Sequence, residues 1–185
     1  MGTRGIIGVV QDGVMKGSYN QYDMYPTGVG RDLQKELDGV GFEEISRRAR
    51  KMRWVNEDAT PTAAERKKYA QYFENVSTGK DWYSLLRGQQ GSLMKRLRAG
   101  IATDGTEFAK DSLFCEWGYI FDCDTEKVVI LEGFNLDARD QYEHCVKDMT
   151  DWAAEYVGQK PYCGCRQLWT GTLDEFLALD METLE

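Results

Sequence analysis

The chain has 185 residues, 42% of them hydrophobic and 12% aromatic, enough apolar side chains to bury one substantial core and to predict a single domain over residues 1–185. No apolar run approaches the roughly 20 residues that a membrane span needs, and the start lacks the charged-then-apolar order of a secretion signal, so the expected location is the cytoplasm. The formal net charge of −8 argues against specific nucleic-acid binding, although its distribution is uneven: residues 43–98 carry thirteen Lys/Arg against seven Asp/Glu, and residues 99–185 carry six against nineteen.

Taken in order, the pattern begins with a hairpin. Gly5 to Val10 is an apolar run, Asp12-Gly13 is a type I′ turn signal, and Val14 to Tyr22 returns with β-favouring residues. Pro26, Gly28 and Gly30 break that strand, and Asp32 to Leu37 opens a helix with negative charge in its first turn. A second helix is predicted over about Phe42 to Met52, where Phe42, Ile45, Ala49 and Met52 recur at helical spacing while Arg47, Arg48, Arg50, Lys51 and the following Arg53 crowd the remaining positions. Thr62 with Glu65 forms a capping box for a third. Trp82, Leu85, Leu86, Leu93, Met94 and Leu97 continue the helical part, interrupted near Gly88 or Gly91 and stopped at Gly100.

The second half changes character. Leu113 to Phe121 and Lys127 to Leu131 flank the polar turn Asp122-Cys123-Asp124-Thr125-Glu126 and predict a second hairpin. A long helix is expected from about Ala138 to Tyr156 on the stripe Tyr142, Cys145, Val146, Met149, Trp152, Ala153 and Tyr156. A last strand follows over Cys163 to Leu168, and Thr172 with Glu175 caps a C-terminal helix. The fold class is therefore α+β: an antiparallel or mixed sheet from two hairpins plus a C-terminal strand, with helices packed on it.

The five cysteines are odd in number and irregularly spaced, which favours reduced thiols. Cys145, Cys163 and Cys165 lack CxxC spacing and a fourth ligand, so no metal and no cofactor is expected. The single histidine, His144, falls one position off the apolar stripe of its predicted helix, toward solvent. The polar residues of the first hairpin and its exit are the better candidates. Thr3, Asp23 and Glu116 are candidate catalytic groups, Glu116 because strand alternation sets a carboxylate beside apolar residues. Arg4, Asn20, Tyr25, Gly28, Gly30 and Arg31 are candidate ligand-binding residues. Glycines ahead of a helix let backbone N–H groups converge on an anion, and Arg31 adds a bidentate partner.

Two resemblances follow from these residues. The start MGTRG, the segment YNQYDMYPTGVG and the later DSLFCEWGYIFD resemble a group of uncharacterised bacteriophage and bacterial proteins that begin Gly-Thr-Arg or Ser-Thr-Arg and carry an Asp-x-Tyr-Pro-x-Gly element. That likeness implies a phage or bacterial origin. The placement of Thr3, Arg4, Asn20 and Asp23 on a terminal strand and its return is similar to N-terminal-nucleophile hydrolases, from which the chain departs in having Gly at position 2. The two readings that result are a binding protein acting on a host protein or an anionic small ligand, and a small hydrolase or transferase at the same hairpin.

Overall fold

A computed structural model of the chain describes residues 2–73, 79–148 and 161–185. Strands β1 (Gly5–Gln11) and β2 (Val14–Asn20) form the first hairpin. Its turn has Asp12 at φ 54° and Gly13 at φ 75°, the left-handed pair that a type I′ turn demands. Strands β5 (Trp117–Asp122) and β6 (Lys127–Glu132) form the second hairpin, and β7 (Arg166–Thr172) pairs antiparallel with β6. A parallel pairing of β1 with β5 joins the two hairpins, giving a mixed sheet in the order β2-β1-β5-β6-β7.

Both faces of this sheet are covered, and the alternation of its strands sorts the core into two layers. Ile7, Val9, Tyr119, Phe121, Val128 and Ile130 face one way. They pack against α1 (Arg31–Leu37), α2 (Phe42–Ala49), α5 (Leu93–Ala99) and α6 (Leu173–Ala178) through residues such as Leu33, Leu37, Ile45, Met94, Leu97 and Phe176. Ile6, Val10, Ile120, Val129 and Leu131 face the other way, onto Ala109, Tyr142 and the cysteines Cys115, Cys145 and Cys165. A third cluster surrounds a small parallel sheet of β3 (Arg53–Val55) and β4 (Ile101–Thr103). There Val55 and Ile101 meet α3 (Ala63–Tyr69) and α4 (Trp82–Leu86) through Tyr69, Trp82, Leu85 and Leu86.

The capping boxes at Thr62/Glu65 and Thr172/Glu175 are both formed, with each threonine hydroxyl accepting from the N3 amide and each glutamate returning to the cap. Gly100, at φ 67°, ends α5 in the left-handed conformation.

Several element boundaries differ from expectation. β2 stops at Asn20, α2 stops at Ala49, β5 starts only at Trp117, and the last strand lies at Arg166–Thr172. The helix expected over Ala138 to Tyr156 is not found in its described part. Residues 138–148 form loop and one 3-10 turn, Glu143–Cys145; Met149, Trp152, Ala153 and Tyr156 lie outside the described residues. Tyr142 and Cys145 are buried as the stripe requires, but they reach the core from irregular chain, Tyr142 donating its amide to Cys165 O at 2.9 Å. Val146 is exposed, and His144 is half-buried beside Tyr142, with ring centroids 5.4 Å apart.

All five cysteines are free thiols. Burial raises Cys145 and Cys163, burial pushes Cys123 up to about 12, and the Cys165 contact together with burial holds Cys115 well above its usual range. Among the described residues no His, Cys, Asp and Glu group is arranged to hold a metal. We expect a thiol reagent such as DTNB at pH 8 to leave Cys115 and Cys145 unmodified in the native protein and to titrate all five after unfolding. Rapid native labelling of Cys115 would contradict this packing.

Candidate functional site

The candidate residues of the first hairpin divide into three places. Thr3, Arg4 and Glu116 share a cleft of about 480 Å³ at the entry to β1, walled by Leu113, Phe114 and Phe134. Arg4 and Glu116 are tied by the main chain: the Arg4 amide donates to Glu116 Oε1 at 3.3 Å, and the Glu116 amide returns to Arg4 O at 3.0 Å. The Arg4 guanidinium lies over the Phe114 ring, 4.8 Å from its centroid. Because β5 starts after it, Glu116 does not sit in a strand; it meets the rim of this cleft instead of an apolar sheet face.

Asn20 lies elsewhere. It ends β2 fully buried, and its Oδ1 accepts from Arg96 Nη2 and from the Gly91 amide, both at 2.7 Å, while its Nδ2 donates to Ser18 O at 2.9 Å. Arg96 is itself only 2% exposed, and burial pushes its guanidinium down to about 10. Its Nε and Nη1 have no partner among the described residues. Asn20 is thus committed to satisfying a buried cation.

Asp23, Tyr25, Gly28, Gly30 and Arg31 form a third place, a π-helical turn over Pro26–Gly30 leading into α1. Asp23 has φ 54° and its carbonyl accepts from the Val29 amide at 2.8 Å. A Cβ on Gly28 would lie 2.4 Å from Asp23 O, so this turn closes only on glycine. Of the groups predicted to receive an anion, Arg31 does receive a carboxylate, but the chain's own, whereas the Gly28 amide donates to Tyr25 O at 3.0 Å and the unpredicted Thr27 takes the second carboxylate. The Thr27 amide and hydroxyl donate to Glu185 Oε1 at 2.8 and 2.7 Å, and Arg31 Nη2 donates to Glu182 Oε1 at 2.7 Å. The Thr27 amide holds the Glu185 carboxyl below its usual range, and the Glu182 bond raises Arg31. Tyr25 is exposed beside this turn.

A larger cleft, of about 840 Å³, was not foreseen. It opens where the outer edge of β2 meets the small β3/β4 sheet, an approach held by the Gly105 amide on Gly17 O at 2.8 Å and by Ser18 Oγ and Thr103 Oγ1 at 2.8 Å. Tyr19, Trp54, Tyr83 and Phe108 supply aromatic walls. Tyr19 sits edge-on to Phe108 at 4.9 Å between centroids and 6.3 Å from Tyr83. Lys16 Nζ pairs with Asp104 at 2.5 Å, and Thr106 Oγ1 donates to the same carboxylate at 2.6 Å.

Glu57 carries the unusual chemistry of this cleft. Its carbonyl accepts from the Tyr83 amide at 2.9 Å, but its Oε2 is shielded from solvent with no hydrogen-bond partner among the described residues. Burial first, then the charges of Asp58 and Asp81, raises its carboxyl above the usual value. Burial and the neighbouring Tyr83 likewise raise the Tyr19 phenol, which donates to Gln21 Oε1. A carboxyl kept in its protonated form to higher pH, beside two phenols in an open cleft, can donate or accept a proton from a ligand.

No short motif marks this cleft, because its walls come from β2, the exit of β3, α4 and the turn after β4, and they meet only through long-range packing. The one local hint is the density of polar and aromatic residues along β2. Compared with known proteins, the chain matches no family model, no curated protein and no solved structure.

Proposed function

We propose that the protein binds a small organic molecule in the cleft between β2 and the β3/β4 sheet, with Glu57 as the polar group that engages it. The observation that carries this reading is the shielded Glu57 Oε2, without a partner among the described residues, at the cleft of about 840 Å³ and within electrostatic reach of Tyr19. Ligand sites are typically concave, mainly apolar or aromatic, and equipped with few polar groups of perturbed pKa. The turn at Thr27–Arg31 fits an external anionic ligand less well, since Glu182 and Glu185 would have to be displaced first.

A fragment screen read by amide NMR tests the proposal. Hits are expected to shift Tyr19, Glu57, Tyr83 and Phe108 together, and Glu57→Gln is expected to weaken ligands that donate a hydrogen bond. Hits confined to other surfaces, or none at all, would remove this cleft from consideration.

A second reading, a small hydrolase or transferase at the first hairpin, is favoured by one observation: Thr3, Arg4 and Glu116 line a common cleft with aromatic walls. It requires a nucleophile next to its activating base. Intact mass showing a mature chain that begins at Thr3, together with turnover abolished by Thr3→Ala, would support it. Turnover that survives both Thr3→Ala and Glu116→Gln would end it.

A further inference from the structure

We infer that the ligand of the β2–β3/β4 cleft is an organic cation of the alkylammonium type, an inference that rests on the cleft being the ligand site. The walls make the first argument. Tyr19, Tyr83, Trp54 and Phe108 surround one space, and an aromatic face attracts a cation placed within about 6 Å of its centroid, more strongly when water is excluded. Methylated ammonium groups suit such walls because their charge is spread over C–H surfaces that lose little hydration on entry.

The charge balance makes the second. Glu57, Asp58, Asp104 and Glu107 line the cleft against one ammonium, that of Lys16, which is already paired with Asp104. Glu107 pairs in turn with Lys110 at 2.9 Å, so an anion entering here would meet the carboxylates of Glu57 and Asp58, neither of which has an ion-pair partner among the described residues, and no further cation on the lining. The third argument comes from Glu57 itself. A shielded carboxylate oxygen without a hydrogen-bond donor is costly as an anion, and a neighbouring cation relieves that cost directly. No neutral apolar ligand would do so.

Two other clefts among the described residues do not combine these features. The one at Thr3 and Arg4 has aromatic walls, but the charges on its lining are one arginine and one glutamate. The cleft around Asp137, Arg139, Asp140 and Arg166 has two arginines among its carboxylates, and those arginines pair with Asp137 and Glu132.

The test compares ligands of equal shape and different charge by isothermal calorimetry on the full chain. Choline and 3,3-dimethyl-1-butanol differ chiefly in a quaternary nitrogen replacing a carbon; benzyltrimethylammonium and benzoate extend the comparison to a larger cation and an anion. Choline is expected to bind at least tenfold more tightly than its neutral isostere, benzyltrimethylammonium more tightly still, and benzoate not at all. Glu57→Gln is expected to weaken both cations several-fold while thermal unfolding shows the variant folded. Raising the salt concentration checks the charge term without any substitution.

Equal affinity for choline and 3,3-dimethyl-1-butanol, or tighter binding of benzoate, would overturn the cation assignment while leaving the cleft as a ligand site. Binding of other fragments in the cleft with no heat from any cation would overturn it equally. If no fragment of any charge shifts Tyr19, Glu57 and Tyr83, the reading of the cleft itself fails.

Discussion

Asn20→Ala is expected to lower the free energy of unfolding by about 3 kcal/mol, because it leaves a buried charged donor without its acceptor. Arg96 Nη2 finds Asn20 Oδ1 at 2.7 Å, and Nε and Nη1 have no partner among the described residues. The nearest compensating charge, Glu36, spends its carboxylate on the start of α5, accepting from the Ser92 hydroxyl and from the Leu93 and Met94 amides at 3.0 and 3.1 Å. Truncating Asn20 therefore strands a guanidinium that is 2% exposed and frees the Gly91 amide as well. Urea denaturation should show the midpoint falling with the slope unchanged. Removing both partners, as Asn20→Leu with Arg96→Met, is expected to recover more than half of the loss, since two apolar groups replace an unsatisfied pair. A loss below 1 kcal/mol in the single variant would mean that water reaches Arg96 and that the site is wetter than its packing indicates.

The same network shows why part of this molecule is legible in the sequence and part is not. The hairpins, the capping boxes at Thr62 and Thr172 and the stop at Gly100 are encoded within a few residues, by turn chemistry and cap spacing that act locally. The α+β class follows from those elements. The parallel pairing of β1 with β5 is not encoded locally, because it joins segments more than a hundred residues apart. β3 and β4, three residues each, are too short to show a period of two. Tyr142 and Cys145 imitate a helical stripe because both must reach the core, yet irregular chain fulfils that requirement.

Candidate residues follow the same division. Polar density along the first hairpin does not distinguish the face of Tyr19, which lines the large cleft, from that of Asn20, which turns to Arg96. Period two places neighbours on opposite faces, and only the partners across those faces decide which one meets a ligand. Glu57, Asp104 and Tyr83 carry no signal of their own for the same reason.

Phe176→Ala is expected to cost about 4 kcal/mol, in the range for emptying a fully buried aromatic position. Phe176 has no solvent exposure; its ring meets Phe121 edge-on at 6.0 Å and lies 6.3 Å from Trp169. With Leu173 it anchors α6 to the core, and its carbonyl accepts from Gln34 Nε2 at 2.7 Å, with Leu179 O taking the same donor at 2.8 Å. The chain after α6 carries buried Met181 beneath Gly30 and the two carboxylates on Thr27 and Arg31. The Arg31–Glu182 ion pair and the Thr27–Glu185 hydrogen bonds are exposed, Glu182 at 69%, and exposed pairs of this kind contribute little to stability. Chemical denaturation should therefore separate the two contributions: Phe176→Ala strongly destabilised, Glu182→Gln with Glu185→Gln close to the parent. Native hydrogen exchange should report faster opening of residues 173–185 in Phe176→Ala alone. Equal losses in both variants would move the anchor of this segment from the ring to its carboxylates and make the turn at Thr27–Arg31, through the tail it holds, a principal stabilising contact of the fold.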